Sequence, residues 1–99
     1  MHKAPGYVSQ KMREAVSLLC SSGKWSRRLG DAGLALVFLS AADLEGELGE
    51  DLRFVLGWTA GNIIDGNVQK LPRGLARHQL IEKMLHILIE TDRIEQDRL

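Results

Sequence analysis

The chain has 99 residues, of which 44% are apolar and 26% charged, and its acidic and basic side chains balance to no net charge at pH 7. That length suits one domain with a modest buried core. The longest apolar run, Leu34 to Leu39, falls far short of the ~20 residues needed to cross a bilayer, and no apolar stretch follows Met1, so neither a membrane span nor a secretory signal is expected and a cytoplasmic location is.

Charge is unevenly spread. In residues 1–30, Lys3, Lys11, Arg13, Lys24, Arg27 and Arg28 are opposed only by Glu14. In residues 31–53, Asp31, Asp43, Glu45, Glu47, Glu50 and Asp51 are opposed only by Arg53. Opposite patches on one small domain favour self-association or a charged partner over a uniformly nucleic-acid-coating surface.

Residues 1–7 are expected to be flexible. A first helix is predicted to follow Ser9 as its cap and to end near Ser21, because Met12, Ala15, Val16 and Leu19 recur at the spacing that lines one helical face. Cys20 is the only cysteine, so no intrachain disulfide can form. With Leu18 and Leu19 beside it and no basic neighbour, its thiol reads as buried and structural. Ser21-Ser22-Gly23 stops the helix, Gly23 being suited to a left-handed turn. Lys24 to Leu29 is predicted to form one further turn that points Trp25 and Leu29 inward. Gly30-Asp31-Ala32-Gly33 then reads as a break, with Asp31 capping the next helix.

Leu34, Val37, Phe38, Ala41, Leu44 and Leu48 form a second helical stripe. Leu34 to Leu39 also suits a buried strand; the helix is preferred because no second convincing strand is available to satisfy its backbone. Gly46 and Gly49 mark the next boundary. Glu50 and Asp51 open a third helix, where the dipole favours acids, and Leu52, Val55, Leu56, Thr59 and Ile63 continue one face. Gly57 and Gly61 weaken that helix by about 1 kcal/mol each and would admit another backbone on their side, beside Trp58. Asp65-Gly66-Asn67 and Leu71-Pro72-Arg73-Gly74 are turn signals.

The last helix is predicted from about Leu75 to at least Arg93, with residues 95–99 fraying. Leu80, Ile81, Met84, Leu85, Ile87, Leu88 and Ile89 cover more of it than the ~100° stripe a surface helix needs. Either this helix is central or it also packs against a second copy. The expected fold is an all-α, four-helix, bundle-like single domain over residues 1–99, with a long C-terminal helix and an opening to dimerise.

Chemistry-bearing patterns are sparse. His78, Glu82, His86 and Glu90 recur every fourth residue and would present imidazole and carboxylate to a divalent cation. One helix supplies two adjacent ligands at most, and no other element offers a third, so a solvated His–Glu seam is the preferred reading and neither metal nor cofactor is expected. Lys24-Trp25-Ser26-Arg27-Arg28 mixes basic and aromatic residues as a phosphate and base contact would; a core-anchoring Trp25 is preferred. Arg73 and His78, an arginine and a histidine separated by four residues ahead of a long helix, resemble the short motif of the HEPN ribonuclease superfamily. That resemblance spans six residues, departs at Gly74 where the family carries a polar residue, and implies a dimer that pairs Arg73 and His78 for RNA cleavage. The simpler reading is a loop arginine and a surface histidine. No phosphate-binding glycine loop, paired-cysteine zinc spacing or nucleophile elbow occurs.

The expected function is a small non-enzymatic interaction module, an adaptor, regulator or inhibitor, that binds itself as a homodimer and another protein. Leu80, Met84, Ile87 and Leu88 are the expected contacts, with Trp58 as aromatic anchor. The alternative is a nucleic-acid-binding or RNA-cleaving helical protein that uses Lys24, Arg27, Arg28, Arg73 and His78.

Overall fold

Proline has a helical φ and no N–H to satisfy, so Pro5 rather than Ser9 begins the first helix. In the computed structural model, which describes residues 4–97, α1 runs Pro5–Leu19 with Ala4 as its cap. Residues 5–7, expected to be flexible, are its first turn; residues 1–3 and 98–99 lie outside the described residues. Val8, Met12, Ala15 and Leu19 bury one face. Ser9 is buried as well, and its Oγ donates to Asp92 Oδ1 at 3.0 Å, an acceptor shared with Arg13 at 2.6 Å. Cys20 is exposed rather than buried, because it caps the end of α1 where the chain leaves the core.

The second helix, α2, runs Trp25–Ala35, straight through the stretch read as a break. Gly30 and Gly33 lie on its buried side, where they are needed for proximity and not for a turn. A Cβ built on Gly30 would sit 2.0 Å from Gly66 O, and one on Gly33 would sit 2.6 Å from Ile63 Cδ1. The predicted helix from Leu34 to Leu48 does not form. The chain leaves α2 at Leu36, which is buried with Leu39 and Leu44 while Leu34, Val37 and Phe38 stay outside. Ser40 then starts a single 3-10 turn, Ala41–Asp43, through a reciprocal cap: Ala42 N donates to Ser40 Oγ at 3.3 Å, and Ser40 N donates to Asp43 Oδ2 at 2.9 Å.

Helix α3 runs Gly46–Asn62, one turn earlier than expected, and buries Leu52 and Val55. It hands over to a hairpin of β1 (Ile63–Ile64) and β2 (Asn67–Val68), paired antiparallel with Ile63 opposite Val68. Asp65 (φ 52°) and Gly66 (φ 79°) are both left-handed, the signature of a tight two-residue hairpin turn. The turn was legible in Asp65-Gly66-Asn67; the two short strands were not.

Helix α4 runs Gly74–Asp97 and packs on both α1 and α3, so it and α1, which packs on α2 and α4, are the two inner helices of the all-α bundle. Leu80, Met84, Ile87 and Thr91 form its buried face, and Thr91 Oγ1 donates to Ile87 O at 2.6 Å. The order in space is α2, α1, α4, α3, with the hairpin closing the circuit back onto α2. No helix among the described residues is long and apolar enough to cross a membrane.

Candidate functional site

The contact residues expected on α4 are mostly spent inside the chain. Leu80, Met84 and Ile87 are buried core residues, and Leu88 and Trp58 are half-buried and packed against that core. The helix buries one stripe, Leu80, Met84, Ile87 and Thr91, and holds Ile81 and Leu88 half-buried beside it. What it leaves outside is Leu75, Leu85, Ile89 and Ile94, strung along 20 positions of α4, Leu75 to Ile94, rather than gathered.

A denser apolar surface lies where the sequence predicted a continuous helix. Leu34, Val37 and Phe38 are 50%, 63% and 69% exposed at the end of α2. Leu34 and Val37 line an open, mainly apolar recess of about 280 Å³ with Leu36, Leu39, Leu56, Thr59, Ala60, Ile63 and Asp65, and Phe38 follows Val37 in the chain. The ridge exists because α2 stops at Ala35 and the next turn places Leu36 and Leu39, not Val37 and Phe38, in the core. The Ser40-x-x-Asp43 spacing was the available signal for that stop.

Polar chemistry gathers at two other places. Between α3 and α4, Asp51 accepts from Lys83 Nζ at 3.0 Å and pairs with His86 Nδ1 at 2.7 Å. Burial acts to raise the Asp51 pKa, but the hydrogen bonds and charges of His86 and Lys83 outweigh it and hold the carboxyl below its ordinary 3.8. The recess there is lined by Glu47, Asp51, Gln79, Glu82, Lys83 and His86, with no hydroxyl or thiol for the imidazole to activate. Its arrangement fastens α3 to α4. His78 instead pairs with Glu82 at 2.9 Å, and Glu90 with Arg93 at 3.4 Å, so the four-residue seam divides among separate partners. Among the described residues no three His, Cys, Asp or Glu side chains gather in a way that would hold a metal ion.

A lowered folded pKa contributes stability that is present above the unfolded value and lost as pH falls through the folded one. Asp51→Asn is therefore expected to cost about 1–2 kcal/mol near neutral pH, reduced from a buried pair because Lys83 and His86 are partly solvated. The cost should shrink below about pH 4. Urea melts at both pH values check this; an equal loss at both would show that the carboxylate charge is not what matters.

The second polar place is a groove of about 770 Å³ between the start of α2, the end of α3, β2 and the approach to α4. Ser26, Trp58, Asn62, Gln69, Lys70 and Arg73 are among its lining. Beside it, Trp25 is half-buried with the Arg77 and Arg28 guanidiniums 4.4 and 5.4 Å from its ring, its indole N–H buried without an acceptor. Arg28 also donates to Leu19 O at 2.7 Å and Ser21 O at 3.2 Å, which ties it to the end of α1. Arg27 leans on Asp31 at 3.9 Å, and Lys24 caps α2. Arg28, Arg73 and Arg77 thus meet at one end of the molecule, with Lys24 and Arg27 at the start of α2 beside them. His78 is not among the groove residues. Lys70 and Arg77 belong to the same end and carried no sequence signal that joined them to it. No family model, curated protein or solved structure matches this chain.

Proposed function

We propose that this protein is a small interaction module that acts by binding, and that its first partner is a second copy of itself. The observation that carries the reading is the Leu34–Val37–Phe38 ridge standing beside an apolar recess of the same surface. A twofold contact brings a patch against itself, so a projecting side chain and a hollow placed side by side are the shape it requires. Phe38 of one protomer would enter the recess between Val37, Leu56 and Ile63 of the other, and the reverse.

The ridge offers no more than a few hundred Å² of apolar surface, within the ~300–600 Å² of the largest patch on an ordinary monomer. It is less than the ~800 Å² per partner of a standard stable interface, so a micromolar dimer is expected.

Sedimentation velocity across a range of concentrations tests this. The expected result is a mass that rises from monomer to dimer, and a Phe38→Ser chain that stays monomeric with an unchanged helical spectrum. A wild-type chain that remains monomeric at every concentration would overturn the reading.

A further inference from the structure

Among the described residues, the cations remote from the groove have acidic partners: Lys11 with Glu14, Arg13 with Asp92, Arg53 with Glu50, Lys83 with Asp51 and Arg93 with Glu90. The cations without a carboxylate partner among the described residues are Lys24, Arg28, Lys70, Arg73 and Arg77. They come from two separate stretches of sequence, 24–28 and 70–77, and the fold collects them at one end: Lys70 and Arg73 line the groove, Arg28 and Arg77 lie over Trp25 beside it, and Lys24 starts the helix whose Ser26 lines it. A neutral chain whose other described cations are paired, and which leaves these five together, holds an excess of positive charge there.

Two further features define what that charge would hold. Trp58 lines the groove and is half-buried, and whereas two guanidiniums lie over the Trp25 ring, none among the described residues lies over Trp58, so Trp58 is the indole left for a base. Asn62 and Gln69 also line the groove, and their carboxamides each donate one N–H, to Trp58 O and Asn67 O at 2.9 and 3.1 Å, leaving a second N–H and an oxygen that accepts. Repeated cations, a flat aromatic face within the groove and amide acceptors match a chain of phosphates carrying unstacked bases. A duplex keeps its bases stacked and would offer only phosphates to such a recess.

We infer that the groove bounded by Trp58, Lys70 and Arg73 binds single-stranded nucleic acid, with the phosphates on Lys24, Lys70, Arg73 and Arg77 and a base on Trp58. The inference uses none of the residues of the Phe38 ridge, so its failure and that of the dimer reading are separable.

The test is fluorescence anisotropy of a labelled, mixed-sequence single strand of roughly a dozen nucleotides, with tryptophan quenching read in parallel. Neutralising about four phosphates predicts a loss of roughly 50-fold in affinity between about 50 and 200 mM salt. The double variant Lys70→Glu/Arg73→Glu should bind at least tenfold more weakly, with an unchanged circular-dichroism spectrum. The remote double variant Lys11→Ala/Arg93→Ala should bind as wild type. Quenching should survive Trp25→Phe and vanish in Trp58→Phe. Absence of binding at low salt, equal affinity for duplex or heparin, or indifference to the Lys70/Arg73 reversal would each overturn the assignment.

Discussion

Ile87→Glu is expected to unfold this protein and not merely to alter a surface. Ile87 is 0% exposed at the middle of the α4 face that also carries Leu80, Met84 and Thr91. Truncating such a side chain costs about 2–5 kcal/mol, and an unpaired carboxylate in its place adds several more unless it takes up a proton. A domain of this size has about 5–15 kcal/mol in all. The variant should lose its cooperative thermal transition, while Leu85→Glu, on the solvent side of the same helix, should stay within about 0.5 kcal/mol of wild type. Calorimetry separates the two, and an Ile87→Glu chain that melts like wild type would mean that α4 does not face the core as described.

Gly30→Ala is the second large effect. In most helices this exchange stabilises by about 1 kcal/mol. Here the added Cβ would lie 2.0 Å from Gly66 O, and the obstruction is backbone held in a tight turn, not a side chain that can swing away. We expect a net loss of about 2–3 kcal/mol, or at least 10 °C in melting temperature for a domain of this length. Gly57→Ala and Gly61→Ala provide the contrast, since a Cβ at either meets nothing within 4 Å. Each should gain up to about 1 kcal/mol. Thermal melts of the three variants should therefore move in opposite directions, and a Gly30→Ala chain as stable as Gly57→Ala would remove the hairpin from the side of α2.

These glycines also show what was legible in the chain. The spacing Gly57-x-x-x-Gly61 suggested close approach, yet both residues face open space, and the approach happens at Gly30 and Gly33, which read as a break. A glycine announces that a Cβ is missing but not whether the reason is a turn or a neighbour. Helix α4 was legible because its apolar period runs on without proline or glycine, and its observed start at Gly74 lies within a residue of the expected one. The segment from Leu34 to Leu48 misled for the opposite reason: its apolar period continues across a point where the backbone changes course. Period records which side chains share a face, and it is silent on whether that face meets the core or solvent. Only the Ser40 and Asp43 side chains marked the change, and a run of six apolar residues outweighed them.

The groove was half legible. Lys24, Arg27 and Arg28 stand together in sequence, and Arg73 drew notice through its spacing from His78. Lys70 and Arg77 bore no such mark, and that these charges share one end follows from the packing of α2 against the hairpin and the reach of Arg77 to Trp25. Absence of a nearby acid is a property of three dimensions, and a count that balances to zero conceals it.

The inner position of α4 has a consequence for the order of assembly. Ser9 and Asp92, which join α1 to α4, are 83 residues apart, so the chain must close a long loop before α1 has its second neighbour. A pairing of α1 with α2 forms over a short span but leaves the side of Val8 and Met12 that α4 covers open to water. The entropy of closure is therefore spent before the largest apolar gain is realised. An up-and-down bundle that pairs each helix with the next escapes this delay; here the ends of the described chain must meet for either to be buried, which slows folding relative to its helical content and makes the core form in one step.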